Sequence, residues 1–329
     1  LVARGDALAG SIDRPRGNRA TVLPVVTPVV VAAHLPSLPT DPLRSRLVLG
    51  AYAEPWSGAV QIADDATDTE LARLMGPAAI GELLTPLLSG PLSQWDRGNH
   101  LDIQLSSGHL ADVSPLSALG GVNRLAVESD SGEWEIIGFA SVELMAPGQY
   151  RLTDLLRGLE GSGKAVGVAS VGRRAMILNK AVATLPVETD WIGENRVLSA
   201  MVAGGGTAEI VTVAPTAGPV LPLSPVHLDA TRAADGSIAL EWIRRSRADG
   251  DGWGVAEPPV EFTPESWRVE IIAGGVAIRT LSVAHSSALY LLSDQTADFG
   301  GPATDFTFTV RQISAVFGAG HSATGVCHG

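Results

Sequence analysis

Glycine and proline are the residues that most restrict how this chain can fold. The sequence has 37 Gly and 21 Pro among 329 residues, and these two residue types are the least favourable ones in the interior of a helix. Both are common in turns, so their density favours many short strands joined by turns over long helices. We therefore predict a mainly β protein, built from β-rich sandwich or barrel-like domains.

Charge, cysteine content and hydropathy exclude several classes of protein. The formal net charge is -12, which argues against specific nucleic-acid binding because such proteins hold phosphates with a basic surface. The single cysteine, Cys327, excludes an internal disulfide and a cysteine-rich metal site. The longest apolar stretch, residues 22–33, contains Pro24 and Pro28 and is shorter than the about 20 residues that a membrane-spanning helix needs.

Proline-rich segments also indicate the domain boundaries. Residues 1–45 contain many prolines and show no helical period, which predicts an extended connector arm that can lie along a neighbour. A hinge rich in Pro, Gly and Ser at 215–225 separates two domains. These are a β-rich domain over 46–218, which could divide near residue 165, and a further domain over 219–329.

Alternation of apolar and polar residues predicts strands within 46–218. The predicted strands are 47–52, 101–105, 134–139, 175–178 and 209–213. Two other segments do not alternate in this way. We expect a short helix over 69–75 and a helical turn over 153–156.

Turn signals every 8–15 residues organise the C-terminal region. The predicted strands are 224–230, 237–242, 266–272, 276–281, 287–292, 306–313 and 322–327. Seven short strands with Trp242 as a candidate buried tryptophan are typical of an immunoglobulin-like or fibronectin type III sandwich. We predict the fibronectin type III-like variety, which needs no cysteine pair.

One segment, Gly158-Leu-Glu-Gly-Ser-Gly-Lys164-Ala165, has the spacing of a phosphate-binding P-loop. A P-loop places a Ser or Thr hydroxyl on Mg²⁺ directly after the lysine, but Ala165 occupies that position and no strand clearly leads into the segment. We interpret it as a glycine-rich turn. No cofactor is predicted.

Metal-binding and catalytic motifs are weak. Asp249-Gly-Asp251-Gly fills only part of a calcium loop, so a hairpin tip is favoured and a Ca²⁺ site at Asp249 and Asp251 stays open. The histidines lack zinc-site spacing, although His100 and His109 could meet across adjacent strands. Nothing singles out a pair of carboxylates for glycoside hydrolysis. We expect the acids around the β-rich domain, Asp64, Asp65, Asp96, Asp102 and Asp112, to lie on the solvated surface.

Tryptophans are the better candidates for binding, because an indole on a loop can stack on a sugar or anchor a partner. Trp134, Trp242 and Trp267 fall within strand patterns and are expected in the core. Trp95 and Trp253 fall in turn-rich contexts. We therefore predict a ligand or partner contact at Trp95 and Trp253.

Two groups of short motifs resemble one known family. The first contains Gly90-Pro-Leu-Ser-Gln-Trp-Asp96, Trp134-Glu-Ile-Ile-Gly-Phe139 and Leu155-Leu-Arg157-Gly158. The second contains Trp242-Ile-Arg244 and Asp249-Gly-Asp-Gly-Trp253. Together they resemble the C-terminal part of the large baseplate or host-specificity protein of gene transfer agents and related siphophages. The resemblance covers most of 46–329 and is weaker over 166–218.

This resemblance implies a structural role. Such proteins are trimeric components of the tail tip that contact the hub and distal tail protein and face the host envelope. It implies a virion protein assembled in the bacterial cytoplasm, as the C-terminal segment of a longer tail protein, and it carries no catalytic residue onto this sequence. On this basis we expect a baseplate component that is not an enzyme. The alternatives are a carbohydrate-binding module for a host-surface glycan and part of an envelope-polysaccharide hydrolase.

Overall fold

The computed structural model describes residues 26–38, 44–247 and 259–328. This part of the chain is mainly β, as the glycine and proline content predicted. The first strands are β1 (Val29–Leu35), β2 (Arg46–Tyr52), β3 (Val60–Asp64) and β4 (Thr69–Leu74). They are followed by β5 (Ile80–Leu83), β6 (Trp95–Asp96), β7 (Leu101–Leu105), the short helix α1 (Pro115–Leu119), β8 (Arg124–Glu128), β9 (Trp134–Ala146), β10 (Gln149–Leu156) and β11 (Arg174–Ile177).

The remaining elements are β12 (Ala183–Pro186), β13 (Arg196–Val202), β14 (Glu209–Val213), β15 (Val226–Arg232), β16 (Ile238–Ile243), β17 (Trp267–Ala273), β18 (Val276–Val283), β19 (Ser287–Tyr290), helix α2 (Leu292–Phe299), β20 (Phe306–Ser314), β21 (Gly318–Ala319) and β22 (Ala323–Cys327). None of the helices in the described ranges has the length and apolar character needed to cross a membrane.

Six strands between residues 80 and 177 close into an antiparallel barrel. They pair in the order β10-β7-β5-β11-β8-β9, and β9 pairs back onto β10. Tyr150 of β10 thus lies opposite Ile103 on one side and Leu144 on the other. Closure leaves no open edge on which another strand could add.

The alternation of each strand fills the barrel with apolar side chains. Leu101, Ile103 and Leu105 of β7 share one buried core with Ile137 and Phe139 of β9. In β10 the alternation shifts at the left-handed residue Asp154 (φ 50°). Leu152 and Leu155, three residues apart, therefore both join the core.

The barrel is inserted into a second β unit. One sheet of that unit has the order β1-β2-β12 and the other β14-β13-β3-β4, so its strands come from both sides of the barrel in sequence. Their facing surfaces share a core that includes Leu47, Leu49, Ile62 and Leu198. We call this unit the split sandwich.

The opposite face of β1 attaches the split sandwich to the barrel. Val31, Ala33 and Leu35 are buried in one cluster with Ile136 and Met176 on the outer surface of the barrel. Because side chains on a strand alternate between its faces, β1 contributes to two cores at once. The two units are therefore joined by apolar packing.

Several sequence predictions for this region need correction. The connector arm over 1–45 is wrong for residues 29–35, which form the buried strand β1; residues 1–25 and 39–43 lie outside the described ranges. The domain over 46–218 consists of the barrel and part of the split sandwich, with boundaries near residues 77 and 180 rather than 165.

Both helical predictions in the same region are also wrong. Residues 69–75 form β4, which pairs with β3 from Val60–Leu74 to Asp64–Thr69. Residues 153–156 form the end of β10. In each case a neighbouring strand supplies the hydrogen-bonding partner, and tertiary pairing overrides local preference.

The C-terminal unit is the predicted fibronectin type III-like sandwich. A sheet with the order β15-β16-β19 faces a sheet in which β18, β17, β20 and β22 are neighbours. Trp242 and Trp267 pack edge to face in its core with ring centroids 5.4 Å apart, so both are core residues as predicted. The predicted hinge over 215–225 does lead into this unit, but its Val220 and Leu223 side chains are buried, so the segment is packed against the fold.

Helix α2 is a departure from the predicted strand pattern. The predicted strand over 287–292 ends at Tyr290, and the chain then turns into α2. Gln295 of α2 is fully buried and donates to the carbonyls of Gly236 and Tyr290. The helix therefore closes one end of the sandwich.

Candidate functional site

A buried arginine holds together the residues that carry the family resemblance. Arg157, whose side chain is 0% exposed, forms a two-point ion pair with Glu135 through contacts of 2.6 and 2.8 Å. Its Nη1 also donates to Asp96 at 3.1 Å and to the carbonyl of Leu88 at 2.9 Å. We call Arg157, Glu135 and Asp96 the arginine centre.

Backbone geometry at three places builds this centre. Arg157 directly follows β10, Glu135 is the second residue of β9, and Asp96 lies in β6, which pairs with the end of β10. A Cβ on Gly90 would collide with the Asp96 carboxylate and with Nη1 of Arg157. Only glycine therefore fits where the chain crosses the centre.

Hydrogen bonds keep the centre charged despite its burial. Burial alone would raise the pKa of Asp96, but hydrogen bonds from Asn99 and Arg157 outweigh it and hold that pKa below its usual range. Burial would likewise lower the pKa of Arg157, and the two carboxylates raise it. Buried charges are stable only when paired and hydrogen-bonded in this way. The geometry is that of a structural lock, with all three side chains engaged by one another.

The segment with P-loop spacing follows this lock and has a different architecture from a phosphate-binding loop. Residues 159–165 form a 3-10 segment in which Glu160 and Gly161 are left-handed, as is Gly158 directly before it. The amide of Gly158 donates to Glu135 at 3.0 Å, and Ser162 Oγ accepts from the amide of Ile136 at 2.9 Å. The segment is packed against β9, in agreement with the prediction of a glycine-rich turn.

The same segment lies where the three units meet. Glu160 forms an ion pair with Arg46 of the split sandwich. A Cβ on Gly161 would lie 3.2 Å from Nε of Arg247, which belongs to the C-terminal unit. We therefore call residues 158–165 the junction segment.

A cavity of about 450 Å³ lies beside the junction segment. The split sandwich contributes His34 and Thr212 to its lining, the barrel contributes Trp134 and Lys164, and the C-terminal unit contributes His321. Each unit thus supplies polar side chains to one shared space. We call it the junction cavity.

Burial sets the charge of the two histidines in this cavity. It lowers the pKa of His34 to about 4, and the imidazole lies 2.8 Å from Ser45 Oγ. Burial and then the positive charge of Lys164 lower the pKa of His321. Both imidazoles are therefore neutral at pH 7 and can donate or accept hydrogen bonds.

Of the two tryptophans predicted to contact a ligand or partner, the structure describes Trp95 and not Trp253. Trp95 is half-buried in β6 and packs near Ala118, Ala140 and Leu156 at one end of the barrel. Part of the indole of Trp95 therefore packs within the fold. Its role in binding a ligand or partner stays a prediction. Trp253 lies outside the described residues, as do Asp249 and Asp251 of the possible calcium loop.

The expectation that the acids are solvated is wrong for three of them. Asp64, Asp96 and Asp102 are buried. Asp102 accepts two hydrogen bonds from Arg151 at 2.8 and 2.9 Å, and Asp64 accepts from two amides of the turn that follows β3. Sequence spacing does not reveal the roles of Asp96 and Asp102, because the arginine that pairs with each of them is distant in sequence.

The histidines predicted to meet across strands have separate neighbours. His100 lies 3.8 Å from Asp102, whereas His109 lies 3.3 Å from the hydroxyl of Tyr150. Among the described residues, no group of three or more His, Cys, Asp or Glu side chains could hold a metal ion. The Cys327 thiol is buried, and burial raises its pKa.

Comparisons with known proteins give a match to one family model and similarity to solved structures. The profile of the Rcc01698-like, C-terminal family matches residues 78–176, which is the span of the barrel. That family is associated with gene transfer agents and phage-like proteins. A search of curated proteins gave no match.

Among solved structures, the chain is similar to the rat CD45 extracellular region, domains d3-d4. The identity is 16% and the TM-score 0.24, and the alignment covers 45% of this chain and 71% of that one. The family match lies on the barrel, and the family that it names is associated with gene transfer agents and phage-like proteins.

Proposed function

We propose that this chain is a structural component of the tail tip or baseplate of a phage-like particle. The observation that carries the proposal is the coincidence of three features. The family match spans residues 78–176, the closed barrel occupies the same residues, and the arginine centre joins the motifs that resemble baseplate proteins. The particle class is a gene transfer agent or a related siphophage.

The fold supports a role in assembly. Closed barrels and sandwiches present rigid surfaces with few open strand edges. Exposed apolar side chains are nevertheless present on the barrel, such as Leu116 at 80% and Leu119 at 57% exposure. Apolar groups of this kind are what subunit contacts bury. The partners in this proposal are the hub, the distal tail protein and two further copies of the chain.

The proposed mechanism is binding without catalysis. Asp96 and Asp102, two buried carboxylates of the barrel, are each paired with an arginine, and the pKa of each lies below its usual range. A carboxylate held ionised in such a pair is a poor general acid, because glycoside hydrolysis needs one carboxyl that keeps its proton. This supports attachment to a host surface over its hydrolysis.

The assembly proposal is tested by co-expression of the chain with the hub and distal tail proteins from the same gene cluster. We expect a stable complex on size-exclusion chromatography, with a light-scattering mass that fits three copies of the chain. A strict monomer that fails to co-purify with either protein would contradict the proposal. Release of reducing sugar from envelope polysaccharide by the purified chain would favour the hydrolase alternative.

A further inference from the structure

Two opposite charges in the junction cavity have no protein partner. Within the described part of the chain, the Lys164 ammonium and the Glu133 carboxylate make no hydrogen bond or ion pair, including with each other. Both side chains are exposed and both line the cavity. Their polar atoms are therefore free to bind a ligand that enters the cavity.

The other charges of the cavity cancel. Arg174 forms a two-point ion pair with Glu128 at 2.8 and 2.9 Å, and its guanidinium lies over the ring of Trp134, 5.5 Å from the centroid. His34 and His321 are neutral at pH 7. The cavity therefore presents one cation, one anion and no net charge.

We propose that the junction cavity binds a neutral sugar of one or two rings. Lys164 would donate to sugar hydroxyls and Glu133 would accept from them, because each hydroxyl is both a donor and an acceptor. Ser131 and Thr212 add hydroxyls to the lining, and these can both donate to and accept from the hydroxyls of a sugar.

The size and position of the cavity agree with this ligand. Its volume of about 450 Å³ lies within the roughly 300–1,000 Å³ usual for small-molecule sites. Because the lining carries no net charge, an anionic sugar would gain no net electrostatic attraction in the cavity and would lose part of its hydration there. A small zwitterion such as an amino acid would satisfy the two charges but leave the hydroxyls and imidazoles unused.

This proposal goes beyond the assembly role and stands independently of it. A chain that assembles into a tail but binds no sugar would contradict only the cavity proposal. A chain that binds sugar but joins no tail would contradict only the assembly proposal.

The test is a titration of the whole chain with small ligands, followed by saturation-transfer NMR and calorimetry. The probes are glucose, galactose, mannose, N-acetylglucosamine, lactose and maltose, with glucuronate and alanine as the anionic and zwitterionic comparisons. The variants are Lys164→Ala and Glu133→Gln. Lys180→Ala is the matched control, because Lys180 is exposed and lies outside the cavity.

We expect saturable one-to-one binding of at least one neutral sugar, weakened about tenfold or more in each cavity variant and unchanged in Lys180→Ala. Thermal melts that match the parent chain would show that the variants fold. The proposal is overturned if no neutral sugar on the panel binds saturably, if glucuronate or alanine binds more tightly than every neutral sugar, or if the cavity variants bind as the parent does.

Discussion

At the scale of single residues, the arginine centre is the most tightly constrained feature of the barrel. Glu135 lies 22 positions from Arg157 along the chain and Asp96 lies 61 positions away. The short motifs containing these residues are visible in the sequence, yet their contact is not, because it depends on closure of the whole barrel. Charge pairing between distant strands is the part of the site that sequence patterns miss.

Removal of the Arg157 side chain should lower the free energy of unfolding of the barrel. Arg157→Ala leaves Glu135 and Asp96 buried without a counter-charge, which typically costs about 3–5 kcal/mol. The matched control is Arg97→Ala, because Arg97 forms an ion pair with Asp154 but its side chain is 72% exposed, and exposed pairs contribute about 0–1 kcal/mol. Urea titration followed by tryptophan fluorescence measures both. An equal decrease in the free energy of unfolding in the two variants would show that the arginine centre does not stabilise the barrel more than an exposed ion pair does.

Acid should weaken the fold through His34. Burial lowers its pKa in the folded chain to about 4, below the 6.5 of an exposed histidine, so between these values the unfolded chain binds a proton that the folded chain does not. The free energy of unfolding should therefore fall as the pH drops from about 6.5 to 4, by up to about 3 kcal/mol from this group. His34→Gln keeps a side chain that can bond to Ser45 and should flatten the curve in that range. A parallel pH dependence in parent and variant would contradict this cause.

At the scale of elements, alternation predicts strands well where one face is buried and the other exposed. Strand β20 follows this alternation along its whole length, whereas in β7 the polar residue Asp102 is buried as well. The pattern fails in β4, where Glu70 and Arg73 form an ion pair three residues apart that a helix would also allow. It also fails at β1, because proline density suggested an arm while both faces of the strand are buried.

The crossing of the chain over the arginine centre gives a test at this scale. Gly90→Ala places a Cβ against Asp96 and Arg157, and such overpacking costs about 1–3 kcal/mol. Gly76→Ala is the matched control, since a Cβ there meets nothing within 4 Å and should change stability by less than about 0.5 kcal/mol. Thermal melting of both variants by circular dichroism separates them. An unchanged melting temperature for Gly90→Ala would argue that the crossing is loosely packed.

At the scale of the whole molecule, three β units meet at the junction segment. The barrel is inserted into the split sandwich, and the fibronectin type III-like unit follows both. Composition predicts the fold class, and turn spacing predicts the last unit. The insertion could not be predicted, because it depends on pairing between β2 and β12 and between β3 and β13, whose partners lie on opposite sides of the barrel in sequence.

The location of the chain in a purified particle tests the central proposal most directly. A peptide tag fused after Gly329 can be labelled with gold-conjugated antibody and viewed by electron microscopy, with untagged particles as the control. We predict gold at one end of the tail, distal to the head, in the tagged particles only. Tagged chain that stays in the soluble fraction, or gold on the head, would contradict a role in the tail tip.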